Sequence, residues 1–270
     1  TELYSILKVH YHIQLNNYND ESWIKNKKAK QFPLLEPVPP RELQRTLRTK
    51  HISIAKPLER AGYETACIGK WHLDGFDRKG PGPKDHGFGY VVEEKTFHSQ
   101  AEEIKYYKNS PNPDYKFVNY YTQQTLNFIE KNKHRPFFVY LSHDAMHHDY
   151  FGDPEVVEKY RDKIKPGLNH SNADYAANLE HLDEGIGRLV DKIDEMGLAE
   201  NTLIVLASDN GGRTGKINYE RCTSNYPLKQ GKHKLYEGGI RVPLIARCPG
   251  KIKSSSTCNV PNHGIDFFPT

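Results

Sequence analysis

Between residues 172 and 196, apolar side chains recur at steps of three and four: Tyr175, Leu179, Leu182, Ile186, Leu189 and Ile193. That spacing predicts an amphipathic helix, and Gly197 marks its end. Residues 202–207, Thr-Leu-Ile-Val-Leu-Ala, form a short apolar run that predicts the next strand. The same pairing occurs twice upstream. Residues 42–60 place Leu43, Leu47, Ile54 and Leu58 roughly on one helical face, stop at Ala61-Gly62, and lead into a strand over 63–68. Residues 120–131 predict a helix, and 136–142 a buried strand. A further strand is expected over 242–246, and the Gly/Pro-rich stretch 75–89 reads as a loop.

Helices alternating with short apolar strands predict an α/β domain, with a mainly parallel sheet flanked by helices on both faces. No linker interrupts residues 42–270, which read as one unit. Residues 1–41 read as an irregular segment of the same domain, with Asn16-Asn17-Tyr18-Asn19-Asp20 and Pro37, Pro39 and Pro40 marking loops.

Composition narrows the class. A chain of 270 residues with 36% hydrophobic and 27% charged residues is long and apolar enough to bury a core. Its net charge of +4 is mild, and no basic block carries interleaved aromatics, so a nucleic-acid partner is not expected. Lys25, Lys27, Lys28 and Lys30 read as a solvated face. No apolar run approaches the roughly 18 residues of a membrane span, and the start shows no signal peptide. Cys67, Cys222, Cys248 and Cys258 lack metal-type spacing. Cys222 has two potential disulfide partners, Cys248 and Cys258.

Ligands of open α/β sheets bind beyond the carboxyl ends of the strands. Residues 63–68 are followed by Gly69-Lys70-Trp71-His72, residues 136–142 by His143-Asp144-Ala145-Met146-His147-His148-Asp149, and residues 202–207 by Ser208-Asp209-Asn210-Gly211-Gly212. Three strand ends therefore carry charged or proton-transferring groups toward one site. Asp209 and Asn210 offer hard oxygen donors that suit Ca²⁺ or Mg²⁺, although the same pair suits an ordinary Asx turn. Lys70 and His72 alternate around Trp71, so an extended backbone would point both to one side as an anion-binding pair. Three histidines within 143–149 leave a transition-metal site open, but one histidine acting on a leaving group is the more economical reading. Lys232 stands in a glycine-bracketed run, 231–243, from which it could reach an anion.

Five blocks in order resemble the type I sulfatases of the alkaline phosphatase superfamily. They are Ala61-Gly62-Tyr63-Glu64-Thr65 with Gly69-Lys70-Trp71-His72-Leu73; residues 136–142 with Ala145-Met146-His147; residues 203–212; residues 232–250; and Asp266-Phe267-Phe268-Pro269-Thr270. The blocks span about residues 40–270, and Met146 stands where the family usually has proline. The resemblance implies that Asp209 and Asn210 are calcium ligands, and that Lys70 and Lys232 bind sulfate oxygens. His147 would protonate the leaving oxygen, and His72 would help expel sulfate. The implied substrate is a sulfated carbohydrate or small molecule, and the implied location an exported compartment.

Family members also carry an Asp-Asp strand and a C/S-x-P/A-x-R motif whose Cys or Ser becomes formylglycine, the nucleophile. None of the four cysteines stands in that motif. The expectation is thus an internal piece of a sulfatase, cut at both ends, with little or no turnover of its own. Two alternatives stay open: a catalytically dead module binding sulfated glycan or calcium, and a phosphodiesterase or phosphonate hydrolase of the same superfamily.

Overall fold

The computed structural model describes residues 46–75, 78–95, 97, 99–217, 220–221 and 223–268. The irregular segment 1–41, the first residues of the expected 42–60 helix, Cys222 and Pro269-Thr270 lie outside the described residues.

Three strands form a parallel sheet in the order β2-β1-β3: β1 (Glu64–Gly69), β2 (Tyr90–Glu93) and β3 (Phe137–Ser142). Side chains alternate across this sheet with period two, as the pleat requires. Cys67, Val91, Phe138 and Tyr140 face one layer with Leu47, Ala55, Trp71, Leu73 and Phe88. Ala66, Ile68, Val92, Val139 and Leu141 face the other, with Tyr121, Phe128, Ile129 and Ile193. That second layer is supplied by two helices, α3 (Val118–Asn132) and α5 (Ala173–Glu195). Both faces of the sheet are therefore covered, as the alternating pattern predicts.

The shorter helices are α1 (Ala55–Arg60), α2 (Gln100–Asn109), α4 (Pro154–Arg161) and α6 (Glu237–Ile240). Ends are capped by local chemistry. Asn172 accepts the Tyr175 amide at 2.7 Å, Asp153 accepts the Glu155 amide at 2.9 Å with Pro154 in the first turn, and Ser99 accepts the Glu102 amide at 3.2 Å. Asp114 caps α3 from outside, its carboxylate accepting the amides of Asn119 and Tyr120.

One expectation is corrected, and two features add to the pattern. Among the described residues, the helix expected over 42–60 is helical only over Ala55–Arg60. Thr46 instead bridges Asp74, and the Leu47 amide donates to the Leu73 carbonyl at 2.8 Å. Leu47 is buried either way, so its apolar character did not distinguish the two conformations. Second, β4 (Ile204–Ala207) does not join the parallel sheet among the described residues. It pairs antiparallel with β7 (Leu244–Arg247), while β5 (Lys216–Ile217) and β6 (Glu220–Arg221) form a separate hairpin pair. The described strands thus form one parallel sheet and two antiparallel pairs.

Third, the apolar stripe of α5 is only partly covered. Ile193 is buried, whereas Leu179 is 49% exposed. Leu179, Leu182, Ile186 and Leu189 line a cleft of about 2190 Å³, together with consecutive residues of both β3 and β4. Residues of alternate faces line it together, so the cleft runs along the hydrogen-bonding edges of those strands.

Candidate functional site

The carboxyl ends of β1, β3 and β4 open onto this cleft. Lys70, His72, His147, Asp209, Asn210 and Lys232 all line it. Backbone geometry at each strand end explains how.

β1 ends on Gly69 at φ 94°, and a Cβ there would meet the Ser142 carbonyl oxygen at 2.1 Å. Only glycine permits that approach. The Lys70 amide then donates to the same Ser142 carbonyl at 2.9 Å, which ties the ends of β1 and β3. Beyond β4, a Cβ on Gly211 would meet the Gly238 carbonyl oxygen at 1.7 Å. This close passage lets Gly211 donate to Gly239 at 2.9 Å and Lys232 donate to Gly212 at 3.1 Å. Asn225 braces the loop, accepting from the Gly212 amide and donating to the carbonyls of Gly212 and Gln230. The glycine-rich run 231–243 is thus packed against the Asp209-Asn210 turn, and Lys232 rides on it.

His72 departs from expectation. Its φ is 52°, so the segment is not extended there and strand alternation does not relate it to Lys70. Trp71 is buried, its indole N–H donating to the Pro81 carbonyl at 3.3 Å. His72 still lines the cleft.

The electrostatics join the remaining groups. Burial pulls the Lys70 ammonium down, but the carboxylates of Asp144 and Glu94 outweigh it, and its pKa stands above the ordinary value. Lys232 shifts the other way. Burial, with Lys70 and Arg213 nearby, holds it below the ordinary value against the pull of Asp209 and Asp144. Burial and the charges of Lys70 and Lys232 lower His147 to about 4, with Asp144 opposing. His147 is therefore neutral near pH 7. Its Nδ1 lies 2.8 Å from the His148 carbonyl oxygen, a contact that assigns the N–H to Nδ1 and leaves Nε2 as the proton acceptor.

His143 is a different case. Both ring nitrogens are shut off from solvent without a hydrogen-bond partner, and Tyr121 packs edge-on at 6.0 Å. Burial lowers it from 6.5 to about 4. The unfolded chain takes up a proton near pH 6.5 that the folded chain refuses until about pH 4. Stability is therefore complete above pH 6.5 and falls as pH drops toward 4, by up to roughly 3 kcal/mol from this group. Urea unfolding at pH 7 and pH 4.5 should show the loss, and His143→Leu should reduce it. An unchanged pH slope in His143→Leu would rule out His143 as its source.

Metal-binding capacity is partial. Asp209 and Asn210 provide a carboxylate and an amide oxygen, hard donors of the type calcium takes, but calcium needs six to eight oxygens. No group of three or more His, Cys, Asp or Glu residues suited to a metal gathers among the described residues. The histidine-rich loop is thus no transition-metal cluster there. Cys67 is buried and its thiol is pushed up to about 12, and Cys248 and Cys258 are free thiols.

Three charged residues at this site received no role from the sequence. Asp144 stands two residues beyond β3, Arg213 directly follows Gly212, and Glu94 directly follows β2. The strand-end rule reaches all three once β2 is known.

Two lysines and a neutral histidine thus line one cleft of an α/β fold. The family model named Sulfatase matches residues 13–270, and the chain belongs to that family. It is 27% identical over 233 residues to human N-acetylgalactosamine-6-sulfatase, covering 79% of this chain and 42% of that protein. It is 28% identical over 249 residues to the ulvan-active sulfatase of Formosa agariphila, covering 83% and 46%. The crystal structure of Ps i-CgsB in complex with k-i-k-neocarrahexaose superposes with a TM-score of 0.66 at 26% identity, covering 84% of this chain and 54% of that one. The chain spans less than half the length of the two curated relatives. Among the described residues, no helix is long and apolar enough to cross a membrane.

Proposed function

We propose that this chain supplies the oxyanion-binding and proton-transfer part of a sulfuric ester hydrolase acting on sulfated carbohydrate. The observation that carries the reading is the convergence of Lys70, Lys232 and neutral His147 on one cleft at the strand ends. The relatives named for ulvan and for N-acetylgalactosamine-6-sulfate support the substrate class. An exported location, which the resemblance implies, belongs to the same reading.

Lys70 and Lys232 hold the peripheral sulfate oxygens, where negative charge gathers as the ester bond breaks. A bound anion offsets the two ammonium charges that, together with burial, hold His147 neutral. The imidazole then becomes more basic, takes a proton at Nε2, and returns it to the leaving oxygen. The Nδ1 bond to His148 fixes the ring for that transfer. Asp209 and Asn210 would hold calcium, which would supply further positive charge toward the sulfate oxygens. No cysteine of this chain stands in the formylglycine motif, so no residue here is assigned as nucleophile, and no turnover of an aryl sulfate by this chain is expected.

The test is calorimetry of inorganic sulfate binding at pH 6 in two buffers of different ionisation heat. Binding should be accompanied by proton uptake, and His147→Gln should abolish most of that uptake. Sulfate binding without uptake would remove His147 from the proton-transfer role. Failure to bind sulfate at all would defeat the functional reading.

A further inference from the structure

Lys70 does not stand alone at its strand end. Gly69 is paired with Glu93 on β2 and with Ser142 on β3. The residues just past these strands therefore come to lie side by side across the sheet edge. Lys70 Nζ lies 2.8 Å from Asp144 Oδ1 and 3.3 Å from Glu94 Oε1, and Arg78 Nη2 lies 2.7 Å from Glu94 Oε2. The Glu94 side chain is 4% exposed and that of Asp144 23%, so solvent screens neither fully. The order Arg78, Glu94, Lys70, Asp144 is a ladder of alternating charge with no net charge.

We infer that Glu94 and Asp144 are specificity-determining residues that reduce the advantage a dianion holds over a monoanionic sulfate ester in this cleft. The inference rests on the reading of Lys70 as a sulfate-binding group. A sulfate ester carries one negative charge, whereas inorganic sulfate carries two, as does a phosphate monoester near and above neutral pH. Coulomb energy is linear in ligand charge, so each carboxylate repels a dianion twice as strongly as a monoanion at the same place. An anion at Lys70 must share that ammonium with two carboxylates. Asp144 also acts on Lys232 and His147, so its charge is felt across the site. The cations still attract both ligands, but the carboxylates take twice as much from the dianionic product as from the ester, which aids product release. They narrow the margin of phosphate monoesters in the same way, without any steric device.

The experiment is titration of the whole chain with methyl sulfate and with inorganic sulfate, at fixed ionic strength and with calcium present. Wild type sets the reference ratio of the two affinities. Asp144→Asn should tighten methyl sulfate binding about three-fold and inorganic sulfate about ten-fold, because the effect on a dianion is the square of that on a monoanion. Glu94→Gln should act in the same direction, and Asp144→Glu should restore the wild-type ratio. Circular dichroism checks that each variant folds, and the ratio in Glu94→Gln stands as the test if Asp144→Asn does not.

Equal changes for both ligands in Asp144→Asn, or weakening of both, would reduce the ladder to a structural ion pair. Both of those outcomes leave the anion site standing. Absence of binding by either ligand, or binding unaltered in Lys70→Met, would instead defeat the reading of Lys70 on which the inference rests.

Discussion

Lys70→Met is expected to weaken binding of inorganic sulfate by about 10- to 100-fold. A hydrogen bond to a charged group is worth roughly 1.5–3 kcal/mol, which corresponds to that range. The loss has a second source. Asp144 at 2.8 Å, which lines the cleft, and buried Glu94 at 3.3 Å would be left without the cation that balances them. Their repulsion would then add to the lost attraction. Lys70→Arg keeps the charge but changes the shape of the donor group, and should recover part of the affinity. Calorimetry on the two variants separates the charge from the geometry. Affinity unchanged in Lys70→Met would move the anion away from β1.

Gly69→Ala is expected to cost about 2–6 kcal/mol of folding stability, read as a fall in the urea midpoint. Two effects add. The residue sits at φ 94°, a conformation that strains any side chain. The new Cβ would also meet the Ser142 carbonyl oxygen at 2.1 Å and its carbon at 2.9 Å, both backbone atoms that cannot rotate aside. The strands must part, and the Lys70–Ser142 hydrogen bond goes with them. Gly62 provides the control, because its φ is 87° but a Cβ there has nothing within 4 Å. Gly62→Ala should show only the backbone cost, about 1–2 kcal/mol. Equal losses at the two positions would mean that the close strand approach contributes nothing.

Much of the fold could be read from the sequence because the periods are strong. The step of three and four over residues 172–196 gives α5, which Asn172 caps in the structure. Residues 136–142 give β3 within one residue, and residues 63–68 give β1 shifted by one. The site was legible for a related reason. Strand ends in α/β sheets face ligands, so Lys70, His147 and Asp209 could be placed near one another before any coordinates.

Other features depended on partners that periodicity does not name. Leu47 is apolar and buried, yet it pairs with Leu73 instead of continuing a helix from residue 42. His72 sits in the left-handed region, which the extended reading of Lys70-Trp71-His72 did not anticipate. Leu179 was placed on the buried stripe of its helix and lines an open cleft.

The sequence by itself determined which segments become helices and strands, and which of their ends bear charge, because both follow from local spacing and residue type. The strand order β2-β1-β3, the antiparallel pairing of β4 with β7, and the ladder that seats Lys70 between Glu94 and Asp144 were decided only by tertiary structure. Residues 70, 94 and 144 are far apart along the chain, and hydrogen-bond register between strands is what brings their charges together. Coulomb energy depends on that distance, so the character of Lys70 as a partly balanced cation could not be read from its neighbours in sequence.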